Sequence, residues 1–171
     1  MTATNALAAV LDELAAVVDS LTEAQYADSA IAGVSGSVGG HVRHCLDHVR
    51  ALERAIDSGV VDYDARDRGS LIEIDRTLAW SLLLSARRRI VAVPVSVLAR
   101  PVVVRTRLHA GTQPVEVLST LEREVSFVIA HTIHHCATIA VLAGVAPERL
   151  PQRFGIAPST PVDAVRTVCA R

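Results

Sequence analysis

Apolar residues that return every three or four positions set the tightest limit on what this chain can fold into. Leu7, Val10, Leu11, Leu14, Val17, Val18 and Leu21 do so from Thr4 to just beyond Ser20, which puts them on one stripe of an amphipathic helix. Val38, Val42, Cys45, Leu46, Val49, Leu52 and Ile56 repeat the pattern from Val38 to Asp57. Ser37 is positioned to cap that second helix and Gly59 to end it. A third helix is expected from Leu71 to about Val91, capped by Ser70 and stopped by Pro94, with Leu71, Ile74, Leu78, Leu82 and Ser85 or Ala86 on its inner face. Ser119 and Glu122 read as the capping box of a long fourth helix that ends near Gly144, ahead of Pro147. A second box, Thr22 with Gln25, opens a short helical turn after the first helix.

Half of the residues are hydrophobic but only 3% are aromatic, so Leu, Val, Ala and Ile must fill the core, a mix that suits packed helices. The 171 residues fit one domain spanning 1–171. The expected fold class is therefore all-α, an antiparallel four-helix bundle. Pro101 to His109, rich in Val, form a short β-hairpin strand or an extended crossover before the last long helix. The polar stretch from Val61 to Gly69 reads as a loop. The tail with Pro151, Pro158 and Pro161 crosses the bundle irregularly, and Thr160-Pro161 opens a last short helix.

A net charge of -1, from 17 basic and 18 acidic residues, lacks the basic surface that a phosphate backbone requires, so nucleic acid is not an expected partner. Met1 to Asn5 lack the basic region of a signal peptide. Arg100 and Arg105 interrupt the most hydrophobic region, and no uncharged apolar run is expected to reach the roughly 20 residues that cross a bilayer. Cys45, Cys136 and Cys169 form an odd set without CxxC spacing, which argues against a disulfide framework and fits a reducing cytoplasm.

Six of the seven histidines lie in two short stretches, His41 to His48 and His131 to His135. On a helix His131 and His135 stand one turn apart on the same face, where both imidazoles reach one ion. Glu124, Phe127, Val128, Thr138 and Leu142 continue that face, so a third ligand must come from another helix. His41, His44 and His48 are all candidates; His41 and His48 lie nearer the apolar centre of the helix than His44, so periodicity does not select His44. Three imidazoles and an open position make a site that keeps a metal available for chemistry. Zinc is the first choice, with nickel or iron as alternatives. An isolated histidine is more often an ordinary core or surface residue; two clusters on two inward faces reverse that expectation.

The pattern Ser37-Val-Gly-Gly-His-Val-Arg-His44, followed far downstream by His131-Thr-Ile-His-His135, resembles the DinB-like (DinB/YfiT) superfamily of four-helix metal proteins. In that superfamily a histidine about seven residues after a capping Ser or Thr joins an HxxxH pair on a later helix. The resemblance implies His44, His131 and His135 as the ligands, with His41, His48, His134, Thr138 and Glu124 around them or lining the pocket. It also implies a metal-dependent transferase that uses a low-molecular-weight thiol of the mycothiol or bacillithiol type.

Arg66 and Arg68 then offer guanidinium groups for a cosubstrate carboxylate, against the plainer reading of ion pairs with Asp62, Asp64 or Asp67. Tyr63 reads as a packing residue. Glu124, two turns before His131, would favour a metal-dependent hydrolase if it faced a metal-held water, and otherwise forms a salt bridge near the helix start. Cys45 and Cys136 follow proposed ligands but turn about 100° away, toward the core. They form a redox pair only if their helices touch there. A non-enzymatic, stress-related metal or small-ligand module is the competing class. A homodimer, with Val102 to Val104 as an exposed interface, is compatible with every one of these readings.

Overall fold

The computed structural model describes residues 1–28, 35–65 and 69–161. They form a mainly helical protein with a small three-stranded sheet. The four longer helices are α1 (Ala3–Ser20), α3 (Val38–Ser58), α4 (Arg76–Val91) and α6 (Leu121–Leu142), and the short ones are α2 (Glu23–Ala27) and α5 (Val95–Leu98). Each long helix begins where a side-chain oxygen takes an otherwise orphan backbone N–H. Thr2 accepts from Asn5, Ser37 from Gly40, Asp75 from Leu78 and Thr120 from Arg123. Gly59, at φ 71°, supplies the left-handed residue that ends α3. The Thr22–Gln25 capping box is present at α2.

α1 packs on α4 and α6, and α3 packs on the same two helices. Leu7, Leu11, Leu14 and Val18 of α1, Val42, Leu46, Val49 and Leu52 of α3, and Val125, Val128 and Ile139 of α6 meet in one core. Burying such aliphatic side chains stabilises by about 1.5–3 kcal/mol each. The apolar stripes of the first, second and fourth expected helices therefore face inward as their periodicity requires.

The expected third helix is divided. Leu71–Glu73 make a single 3-10 turn, and α4 begins only at Arg76. The Tyr26 phenol donates to the Ile72 carbonyl at 2.7 Å, and Asp75 captures the Leu78 N–H at 2.8 Å, so the helix restarts after the turn. Ser70 makes no capping hydrogen bond. Leu71 and Ile74 are exposed; the buried stripe of α4 is Ala79, Leu83, Ala86 and Ile90.

β1 (Val60–Asp62), β2 (Pro101–Thr106) and β3 (Val115–Thr120) form the sheet in that order. β1 runs parallel to β2, with Val60 opposite Val103, and β2 runs antiparallel to β3, with Val104 opposite Val117. The hairpin expected after Pro101 is thus formed, and β1 adds a strand at the start of what reads as a polar loop. Val102 and Val104 are buried rather than exposed, because alternate residues of β2 point toward the helices. The exposed apolar positions of the sheet are Val60 on β1 and Val115, Val117 and Leu118 on β3. Ser119 is still paired with Val102, so the cap of α6 falls one residue later, on Thr120.

By length and composition α6 suffices to cross a membrane, contrary to the expectation that no run does. In the fold it packs against α1 and α3. After α6, Phe154 is buried and Gly155, at φ 74°, sits against the backbone of Ala137, which a Cβ would approach to 2.5 Å. The short helix expected after Thr160-Pro161, and Cys169, lie outside the described residues.

Candidate metal centre

α3 and α6 pack side by side and bring their two histidine clusters face to face. The His44 and His131 Nε2 atoms are 2.9 Å apart, and those of His131 and His135 are 3.2 Å apart. Tetrahedral zinc, with Zn–N of about 2.0–2.1 Å, requires nitrogens roughly 3.3 Å from one another. Both contacts are close to that spacing. His48 adds a fourth ring: one nitrogen from each of His44, His48 and His131 lies within 4.8 Å of the others. These three can hold a metal ion, and His135 adjoins them through its contact with His131.

Hydrogen bonds set which nitrogen of the outer rings carries the proton. A backbone carbonyl only accepts, so His48 Nδ1, 3.0 Å from the His44 carbonyl, carries a proton, which in a neutral ring leaves the lone pair on Nε2. The same reasoning applies to His41, whose Nε2 lies 3.2 Å from the Ser35 carbonyl and whose Nδ1 lies 2.9 Å from His135 Nδ1. Burial pulls the His41 pKa below its ordinary value. Burial, reinforced by His131 and the other nearby imidazoles, pulls His135 down to about 3. Both rings are neutral near pH 7, the state in which histidine binds a metal.

Aromatic packing fixes the deep side. His131 stacks on His48 with ring centres 4.2 Å apart, and Phe127 covers His131 at 5.6 Å. Tyr63, immediately after β1, stacks on His48 at 4.9 Å. Its phenol donates to Glu124 Oε2 at 2.9 Å, while Ser119 and Arg123 donate to Glu124 Oε1 at 2.6 and 2.8 Å. Glu124 is buried and forms the salt bridge at the helix start, with both oxygens engaged. Burial and the Glu124 carboxylate raise the Tyr63 pKa.

The shallow side opens into a cavity of about 340 Å³ bordered by Gly36, Gly40, His41, His44, Glu73 and His135. Arg43 also lines it and pairs with both Asp47 and Glu73. Two carboxylates therefore neutralise this guanidinium, which leaves it a poor anchor for an anion. The pairing of Arg43 with Asp47 one turn later is legible in the sequence; Glu73, from the 3-10 turn, is not.

The remaining predicted residues take lesser places. His134 is exposed, with its ring 5.4 Å from that of His135. The Thr138 hydroxyl turns back to the His134 carbonyl at 3.5 Å. Cys45 and Cys136 are buried and unpaired with each other, and burial pushes the Cys45 thiol up to about 12. Arg66 and Arg68 lie outside the described residues.

No family model matches this chain, and no solved structure matches it. Among curated proteins, FK506-binding protein 5 of Rhizopus delemar is 30% identical over 102 residues, which cover 59% of this chain and 26% of that protein. The match thus spans about a quarter of that relative's length.

Proposed function

We propose that the chain is an antiparallel four-helix protein of the DinB-like kind. In this reading it binds one divalent metal ion, zinc first, through His44, His131 and His135, and serves as a metal-dependent transferase for a small thiol. The observation that carries the reading is the approach of His131 Nε2 to His44 Nε2 at 2.9 Å and to His135 Nε2 at 3.2 Å, beside a cavity that His44 and His135 border. His44 and His135 border that cavity, so a substrate entering it meets the ligand cluster directly. A divalent ion held there supplies Lewis acidity, which lowers the pKa of a thiol or a water. The chain's own residues supply neutral nitrogen donors, an aromatic wall of Tyr63 and Phe127 that excludes water behind them, and an open side for two small molecules.

A hydrolase has less support, because the carboxylate that would act as its base, Glu124, has both oxygens engaged by Tyr63, Ser119 and Arg123. A non-enzymatic metal-binding module would use the same histidines. A second ligand set, His44, His48 and His131, is favoured by the mutual approach of their nitrogens and would leave His135 on the cavity wall.

Elemental analysis of tag-free protein, wild type against His44→Ala, His48→Ala, His131→Ala and His135→Ala, tests these readings. The expected result is near-stoichiometric metal in wild type and in His48→Ala, with loss in the other three while circular dichroism shows the fold retained. Loss in His48→Ala with retention in His135→Ala would establish the second set. Wild type that takes up no zinc, nickel, manganese or iron would sink the metal-centre reading. Thiol-dependent transfer to electrophiles is then assayed on the loaded protein, and no turnover with any thiol would leave the binding module.

A further inference from the structure

We propose that His41 is a positioning residue, which holds His135 in the form that presents an unprotonated Nε2 to the His44–His131 pair. The inference rests on the metal-centre reading for its purpose, but its geometry stands apart from any metal. A line of contacts runs from the backbone into the cluster: Ser35 carbonyl to His41 Nε2 at 3.2 Å, His41 Nδ1 to His135 Nδ1 at 2.9 Å, and His135 Nε2 to His131 Nε2 at 3.2 Å.

The direction of that line follows from its first member. A carbonyl oxygen has no proton to give, so His41 donates through Nε2, and the other nitrogen of a neutral ring carries a lone pair. That lone pair faces His135 Nδ1, which must then be the donor. His135 is left with its lone pair on Nε2, the nitrogen nearest His131. Without His41 either nitrogen of His135 could carry the proton, and the ring could turn about its Cβ–Cγ bond. With His41 in place, both the tautomer and the ring orientation are set before any ion arrives. Partners of this kind, one bond removed from a ligand, typically change metal affinity by about 10–100-fold when lost.

The sequence places His41 where this requires. It stands one turn before His44 and Cys45 on α3, while Ser37, the cap of that helix, fixes the direction in which the chain enters from Ser35. Gly36 lies beside the His41 ring, at φ 92°, a conformation that favours glycine. Through this turn the Ser35 carbonyl reaches back to the imidazole six residues later.

The test compares the full chain as wild type, His41→Phe and His41→Gln. His41→Phe keeps a ring on the cavity wall but removes the acceptor, whereas the side-chain carbonyl of His41→Gln restores one. Long-range 15N–1H spectra of metal-free wild type are expected to show His41 protonated at Nε2 and His135 protonated at Nδ1. Zinc affinity, measured by competition with a chromogenic chelator, is expected to fall about 10–100-fold in His41→Phe and to recover toward wild type in His41→Gln. A His135 protonated at Nε2 in wild type would overturn the proposal. So would an affinity unchanged in His41→Phe, or reduced equally in both variants with thermal melts like wild type. If wild type binds no metal at all, the metal-centre reading fails, while the 15N–1H spectra still decide whether His41 sets the tautomer of His135.

Discussion

The phenol of Tyr63 and the carboxylate of Glu124 meet at 2.9 Å, joining the end of β1 to the first turn of α6. Hydrogen bonds to a buried carboxylate contribute about 1.5–3 kcal/mol. Tyr63→Phe should therefore lower stability by roughly that amount in a urea titration. Because the ring stacked on His48 is kept, the same variant should bind zinc nearly as wild type does. A large loss of affinity with little loss of stability would show the phenol acting on the cluster itself.

Gly39 faces the backbone of the 3-10 turn so closely that an added Cβ would lie 2.0 Å from the Glu73 carbonyl oxygen and 2.8 Å from the Tyr26 ring. Gly39→Ala should cost about 1–3 kcal/mol through forced displacement, seen as a lower thermal midpoint. Gly40→Ala, whose Cβ would meet only the Ser37 hydroxyl at 3.6 Å, is the matched control and should change little.

Lowered pKa values at His41 and His135 make the metal-free protein sensitive to acid. The unfolded chain takes up these protons near pH 6.5, while folded His135 resists until about 3, so below 6.5 the unfolded state binds more protons. Stability from this source is full above pH 6.5 and falls as the pH drops toward 3. Urea midpoints measured across that range should decline, and His135→Phe should flatten the slope. An identical slope in that variant would assign the decline to other groups.

Cys45 and Cys136 are buried on α3 and α6, and both thiols have raised pKa values for that reason. Reactivity follows the thiolate and its access. Peptide mass spectrometry after brief treatment with iodoacetamide at neutral pH should find both unmodified in folded protein and both alkylated in guanidinium.

Much of this arrangement is legible in the sequence, and the parts that are not share a cause. The starts of α1, α2 and α3 follow from local chemistry, since the capping side chain and the backbone N–H it accepts from lie three residues apart. Such signals need no knowledge of the rest of the chain. Two clusters of histidine on inward helical faces likewise announce a meeting place. β1 is invisible because its three residues are defined by a partner strand beyond α4. The start of α4 departs from its expected place because the phenol that takes the Ile72 carbonyl comes from α2. Leu71 and Ile74 fit a helical stripe by spacing, yet they belong to the turn before the helix and face outward. The relation of His41 to His135 joins residues on different helices, so spacing within α3 is silent about it.

The parallel pairing of β1 with β2 also orders events during folding. Residues 60 and 103 cannot pair until the intervening chain, all of α4 included, has closed into a loop. Such closure costs entropy before any contact repays it. Turns within each helix join residues only three or four apart, need no such closure and can form first. Tyr63 directly follows β1, so the aromatic wall behind His48 is among the last parts to be set. A refolding experiment followed by far-ultraviolet circular dichroism should thus recover helix before the cluster becomes competent to capture zinc, with the delay set by strand registration.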